Sequence, residues 1–404
     1  MWQLAKSYMP YLSKPFQEAA DLYRKSLTSA QKPLERWEFC EATAERFFGH
    51  LMTSMYTKSR QYEQGGQTER QRVVKKMFDY LKHNVAKSVS VSSRYDYATR
   101  RAAITKLKNM TVQIGTPDFL MNRDYLKFMY KDLLVQKTDF FQNILYGVLF
   151  LRKREESMLV SPAEETRWLE SLHMQEVSYN TASNKIIVPE LFLSPPLFHA
   201  GYPNSVNMGG LGVRVAQAML EGILGRGLLF DSSGRLVIQT EGGTSNGSTH
   251  TTATAAVAAT SQQQYGGSYN DPRSILEIDA QCVVDKYSRV GVDTLEQLQK
   301  CRIDSAVNVA ALREALLTLE DILELEKGIL LPAMETFDPQ SVFFLSYAQS
   351  LCSHETDFQR DIDRTAGHSL LNRQRLEGAL SQLPEFYHFY FCSYDSSLNC
   401  GKIV

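Results

Sequence analysis

Gln217 and Glu221 stand four residues apart in the stretch GGLGVRVAQAMLEGILGRGLLFDSSGRL, Gly209 to Leu236. An apolar series at Val215, Ala216, Met219, Leu220, Ile223 and Leu224 recurs there at helical spacing, which predicts an amphipathic helix. Gly222, Gly225 and Gly227 break the pattern and mark the helix end. Residues i and i+4 share a helix face, so both polar side chains point one way. Two histidines at this spacing, with a glutamate after the first, hold zinc and supply a general base. Here the five positions read Gln217, Ala218, Met219, Leu220 and Glu221. The frame is kept and the imidazoles are absent. What remains is an amide and a carboxylate, oxygen donors that suit hydrogen bonding or a hard cation such as Ca²⁺ or Mg²⁺, which takes about six or more oxygens. Periodicity alone implies no more than a helix packed on a core.

The elements around this helix follow from composition and pattern. The 404 residues are enough for two or three domains with a large core. A net charge of −1 gives no electrostatic reason for a nucleic acid or an anionic membrane as partner. The aromatic content of 11%, spread throughout, argues against extended disorder. No apolar run approaches the length of a bilayer span, Asn143 to Leu151 being far too short. The opening MWQLAKSYMPYLSKPF has no apolar signal-peptide core.

Residues 1–172 read as a helical domain. Leu34 to Tyr56 places Trp37, Cys40, Ala44, Phe47, Leu51 and Met55 on one broad face. Helices are also predicted at Lys75 to Val85, Tyr97 to Met110 and Asn122 to Leu151, with a break at Gly115-Thr116-Pro117. Residues 173–404 form the second part. Asn184 to Phe198 predicts a short strand and then a loop with a Pro-Pro corner. Glu241 to Asn270, rich in Gly, Ser, Thr and Gln, predicts a flexible insertion. Leu295 to Lys327 is strongly helical, with Leu312, Ala315, Leu316, Leu319, Ile322 and Leu323 on one face. The tail from Ser341 alternates helical and turn signals.

PNSVNMGGLGV at Pro203 to Val213, continuing without a gap to Leu236, resembles the zinc-helix segment of the neprilysin and endothelin-converting-enzyme family of metallopeptidases. RWEFC at Arg36 to Cys40, ATRRAAITKLKNMTVQIGTPDF at Ala98 to Phe119 and DFFQNILYG at Asp139 to Gly147 resemble the same family. The resemblance implies a mainly α, two-lobed fold with a small β element at the cleft. It also implies that family members carry a cytosolic tail, a membrane anchor and further helices upstream of the part matched here. Their location, as membrane-anchored ectodomains or secreted proteins, does not transfer, because this chain shows neither signal nor anchor.

The resemblance assigns roles position by position. The third zinc ligand, a glutamate in the family, falls on Asp304, and the aspartate that steadies a ligating histidine falls on Asn308. The general-base position falls on Ala218. His368 and Arg375 match the pair that stabilises the oxyanion. Glu176 falls where the family has a substrate-binding asparagine. A disulfide is implied between Cys282 and Cys400, while Cys40, Cys352 and Cys392 match cysteines whose partners lie upstream, and Cys301 has no counterpart. Asn109 and Asn246 open glycosylation sequons that count only in a secreted chain.

With Gln217, Ala218, Glu221, Asp304 and Asn308 all changed, no zinc is expected. The implied function is a pseudopeptidase whose cleft still accepts a peptide or protein ligand. Two readings stay open beside it: an active zinc metalloendopeptidase with rearranged ligands, and a non-functional fragment of a longer family member.

Overall fold

The computed structural model describes residues 8–28, 35–61, 67–160, 176–236, 272–287, 301–326, 331–332, 334–354, 372–401 and 403. The expected insertion at about 240–270 and His368 lie outside them. In chain order the α-helices are α1 (Lys14–Thr28), α2 (Arg36–Gln61), α3 (Gln67–Val91), α4 (Tyr97–Asn109), α5 (Asp118–Met121), α6 (Arg123–Met129) and α7 (Phe140–Val160). They continue with α8 (Asn204–Asn207), α9 (Val213–Ile223), α10 (Pro272–Tyr287), α11 (Arg302–Leu325), α12 (Pro339–Ser350), α13 (Asn372–Ser381) and α14 (Pro384–Phe389). The strands are β1 (Thr111–Ile114), β2 (Ser178–Asn180) and β3 (Lys185–Val188). The chain is mainly α, with one small sheet.

Two sequence expectations are corrected. Asn122 to Leu151 is not one helix, because local side chains divert the backbone. The Asn122 side chain accepts from the amides of Asp124 and Tyr125 and so starts α6 afresh. Asn143 then closes the loop behind α6, accepting from the Gln136 amide at 2.7 Å and donating to the Gln136 carbonyl at 2.7 Å. Asp139 accepts from the Gln142 amide and starts α7. Such local side-chain bonds compete with the helix ladder. The broad face of α2 is also not wholly buried. Phe48 takes non-helical angles and kinks the helix, leaving Phe47 inside but Trp37 and Met55 exposed.

The sheet has order β1-β3-β2. β1 runs parallel to β3, and β2 runs antiparallel to it with Tyr179 opposite Ile186. β-branched TVQI and KIIV suit the pleated surface, and Ile186, Ile187 and Val188 are buried. At the end of β1, Gly115 takes φ +62°, a conformation that favours glycine. This turn lets the Thr116 amide donate to Glu190 Oε2 at 3.1 Å. Glu190 in turn lies 3.1 Å from Arg70 of α3, and both side chains are buried. A buried ion pair of this kind is costly to break, since removing one partner leaves the other charge unpaired.

α9 packs against α11, β2 and the end of α4, in the centre of the apolar core. Its entry explains the glycines. α8 passes through a wide π-type turn at Met208–Gly212, where a side chain at Gly209 would strike the Phe343 carbonyl and one at Gly210 the Leu197 carbonyl. The helix ends at Ile223 as the glycines indicate, and Gly222 in its last turn has a bare face that admits Met110 and Tyr179. The helix exit is held by Lys106 of α4, whose buried ammonium donates to the carbonyls of Gly227 at 2.5 Å and Phe230 at 2.9 Å.

Cys282 of α10 and Cys400 form a disulfide with Cα atoms 5.9 Å apart. Cys40, Cys352 and Cys392 carry exposed thiols, and Cys301 is buried. The bridge spans 118 residues of sequence. Replacing both cysteines (Cys282→Ala with Cys400→Ala) is therefore expected to lower stability by roughly 3–5 kcal/mol, measured by urea unfolding of the oxidised protein. A loss below about 1 kcal/mol would show that packing alone holds the tail.

Candidate functional site

α9 is buried along its whole length except at Arg214, Gln217 and Glu221. Spacings of three and then four put these on one face, so the core leaves a single polar stripe open. Gln217 Nε2 lies 3.5 Å from Glu221 Oε1, a long hydrogen bond. Across from the stripe, Asp304 stands in the first turn of α11, the helix that packs against α9.

The charges of this region act on one another. Burial, reinforced by the nearby Asp304 and Glu176 charges, pushes the Glu221 carboxyl up to about 7 despite the Gln217 amide. Burial also raises Asp304, with Arg375 opposing and Glu176 adding to the rise. Both residues nonetheless keep exposed surface, so the protein packed around them shields the carboxyls without covering them. Glu176 is exposed just before β2, at the edge of the sheet. Arg375 reaches the same region from α13. The structure thus brings Gln217, Glu221, Asp304, Glu176 and Arg375 into one neighbourhood from four separate stretches of the chain.

Asn308 lies one turn after Asp304 on α11, buried beneath the site. Its amide donates to the Tyr347 phenol oxygen at 3.0 Å, and the Tyr347 hydroxyl stands 3.3 Å from Asn308 Oδ1. The amide therefore faces a neutral phenol of α12 and not the α9 stripe. Ala218, between the two polar α9 positions, is 1% exposed and belongs to the apolar core.

Arg214 and Tyr347 went unnoticed in the sequence. Arg214 left a signal, a lone charge in the run GVRVAQAM three residues before Gln217. Tyr347 left none, because its phenol matters only through a contact 39 residues away.

Models described as peptidase family M13 match residues 1–117 and residues 177–402. The chain belongs to peptidase family M13. An endothelin-converting enzyme homolog of Locusta migratoria is 26% identical over 403 residues, 99% of this chain and 50% of that protein. Neprilysin-3 of Drosophila melanogaster is 22% identical over 411 residues, 99% of this chain and 47% of its own length. The chain thus spans about half the length of the relatives it matches. Among solved structures, the Mycobacterium tuberculosis zinc metalloprotease Zmp1 bound to an inhibitor overlays with a TM-score of 0.76 at 19% identity, covering 98% of this chain and 55% of that one. A Haemonchus galactose-containing glycoprotein complex overlays at 0.72 and 18% identity, covering 96% and 56%. These overlays show the shared fold.

Zinc is the metal this family implies, and the residues at the site do not fit it. Zinc sites are built from imidazole, thiolate and carboxylate, whereas this set offers one amide and two carboxylates and no imidazole. Among the described residues no three His, Cys, Asp or Glu side chains are grouped to hold a metal ion. No described helix is long and apolar enough to cross a membrane.

The raised Glu221 pKa has a definite sign. An unfolded Glu221 ionises near 4.5 and the folded one near 7, so the folded state binds the extra proton between them. Stability then falls as pH rises through that window. Glu221→Gln removes the penalty. Its melting temperature is expected to match the parent at pH 4 and exceed it at pH 8, read by differential scanning calorimetry. An equal difference at both pH values would place the Glu221 charge in ordinary solvent.

Proposed function

We propose that this M13 chain is a pseudopeptidase, a protein whose cleft accepts a peptide without hydrolysing it. The observation that carries the reading is the α9 stripe facing Asp304. It keeps the spacing of a zinc site with Gln217, Glu221 and Asp304 in place of its ligands, and Ala218 supplies no carboxylate. Hydrolysis by the family route needs a metal to activate water and polarise the carbonyl. It also needs a general base, worth typically about 10²- to 10⁴-fold. Both requirements go unmet by this residue set.

The groups that would meet a peptide are better kept. Arg375 stands beside the site, and β2 forms a sheet edge next to Glu176. Edge strands offer unpaired backbone groups to an extended peptide. His368 completes this proposed peptide-facing set in the family resemblance. Asn308 is engaged with Tyr347, so its proposed role is to brace the site floor and not to orient a ligand.

Two measurements test the reading. The purified chain, incubated with zinc and desalted, is expected to retain well under one zinc per chain by mass spectrometry. It is also expected to cleave no fluorogenic peptide. Stoichiometric, chelator-sensitive zinc with turnover would establish the active alternative with rearranged ligands.

The second measurement rebuilds the centre in steps. Gln217→His, Glu221→His and Asp304→Glu together are expected to restore zinc binding with little hydrolysis. Adding Ala218→Glu is then expected to raise peptide cleavage by about 10²- to 10⁴-fold. Failure of the triple variant to bind zinc, in a protein that still folds, would mean these three positions do not share a site.

A further inference from the structure

α7 is apolar on two faces and buries one. Ile144 and Gly147 are its buried residues. They face α2, where the Phe47 ring lies against Gly147 and the Phe39 ring centroid stands 6.3 Å from that of Phe140. His50 of α2 lies 3.3 Å from Arg154, farther along the same pair of helices. The opposite face is exposed. Leu145, Leu149, Arg152, Glu156 and Leu159 recur there at spacings of four, three, four and three, which is the seam of a coiled coil. Leu149 is 54% exposed, Leu159 87% and its neighbour Val160 88%. A helix that is apolar all round belongs in an interior, so the monomer gives this second face no use.

The polar pair in the middle of the seam says what fits it. Arg152 Nε lies 2.9 Å from Glu156 Oε1, and both side chains are largely exposed. An exposed pair of this kind contributes little to the stability of one chain. A cation followed by an anion is, however, self-complementary under a two-fold axis. An antiparallel copy that crosses midway between the two residues sets Arg152 against Glu156 of the second copy, and does so twice. The same register brings Leu149 opposite Leu159 and Val148 opposite Val160. A parallel copy would set arginine beside arginine, which destabilises. The exposed surface of the seam, roughly 700 Å², is close to the ~800 Å² per partner that a standard interface buries.

We propose that α7 is a homodimerisation helix, through which two copies of this chain pair antiparallel with Arg152 and Glu156 fixing the register. A polar position within an apolar seam is suited to that task. The contact uses the same patch on both copies and so closes at two. It contains no residue of the α9 site and does not depend on the peptide-binding reading.

The test is sedimentation velocity of the full chain carrying Cys40→Ser, Cys352→Ser and Cys392→Ser, so that exposed thiols cannot cross-link copies. A mass of two chains is expected at about 50 µM, falling to one on dilution. Leu149→Glu with Leu159→Glu is expected to give a folded monomer. Arg152→Glu sets glutamates against each other across the axis, and Glu156→Arg sets arginines. Each is expected to weaken self-association by about tenfold or more.

Mixing those two single variants is expected to restore a dimer, now of one copy of each. The bridge within each helix stays broken in that mixture, so a purely intrahelical role gives no recovery. The mixture also decides the matter if the leucine variant fails to fold. A parent that stays monomeric at about 50 µM overturns the proposal, the face then being covered by other residues of the chain or by another molecule. A dimer that survives in the folded leucine variant, or single variants that do not pair on mixing, overturns it as well.

Discussion

The site depends on how little room separates α9 from its neighbours. Glycines at Gly209 and Gly210 let the chain pass against the carbonyls of Phe343 and Leu197 on its way into the helix, and Gly222 lets Met110 and Tyr179 close on it from the far side. The helix is consequently enclosed on every face but one. Its three uncovered residues are polar because they alone keep water. This geometry belongs to the packing and not to any metal, so the stripe forms with an amide at Gln217 and a carboxylate at Glu221. A close-packed interior tolerates little change of volume, whereas a residue at the open face is free to change its chemistry.

Asn308 and Tyr347 satisfy each other beneath the site, so neither leaves a buried polar atom exposed to loss. A lone buried amide would cost free energy without such a partner. The open face is less settled. Asp304 and Glu176 raise the Glu221 carboxyl, Arg375 acts on Asp304 and Glu176 on Arg214, so charges of both signs are interspersed there.

Much of this was legible in the residues. The glycine-led entry and the apolar recurrence gave α9, and the four-residue spacing gave the shared face of Gln217 and Glu221. The apolar face of Leu312 to Leu323 gave α11. Asp304, Arg375 and Glu176 were reachable only through family resemblance, because periodicity says nothing about which distant helices meet. The Cys282–Cys400 pairing was reached in the same way and is present. The break between α6 and α7 escaped notice because Asn122, Asp139 and Asn143 act through local hydrogen bonds that overrule an apolar pattern. The kink at Phe48 escaped notice for a similar reason, since a hydrophobic face reads the same on either side of a bend.

Residues 399–401 and 403 clasp elements that lie well before them in sequence. Arg313 of α11 donates to the carbonyls of Gly401 at 2.8 Å and Gln382 at 2.9 Å, Gln382 accepts from the Cys400 amide, and Ile403 is buried in the core. Arg313 is itself almost fully buried. On a ribosome, α11 emerges long before these acceptors do. Until residues 382 and 401 leave the exit tunnel, the guanidinium of Arg313 has neither of its carbonyls, and the helix that carries Asp304 and Asn308 has an open flank. The scaffold of the cleft is in this sense closed from behind, by residues that follow α11 in the chain by about sixty positions or more.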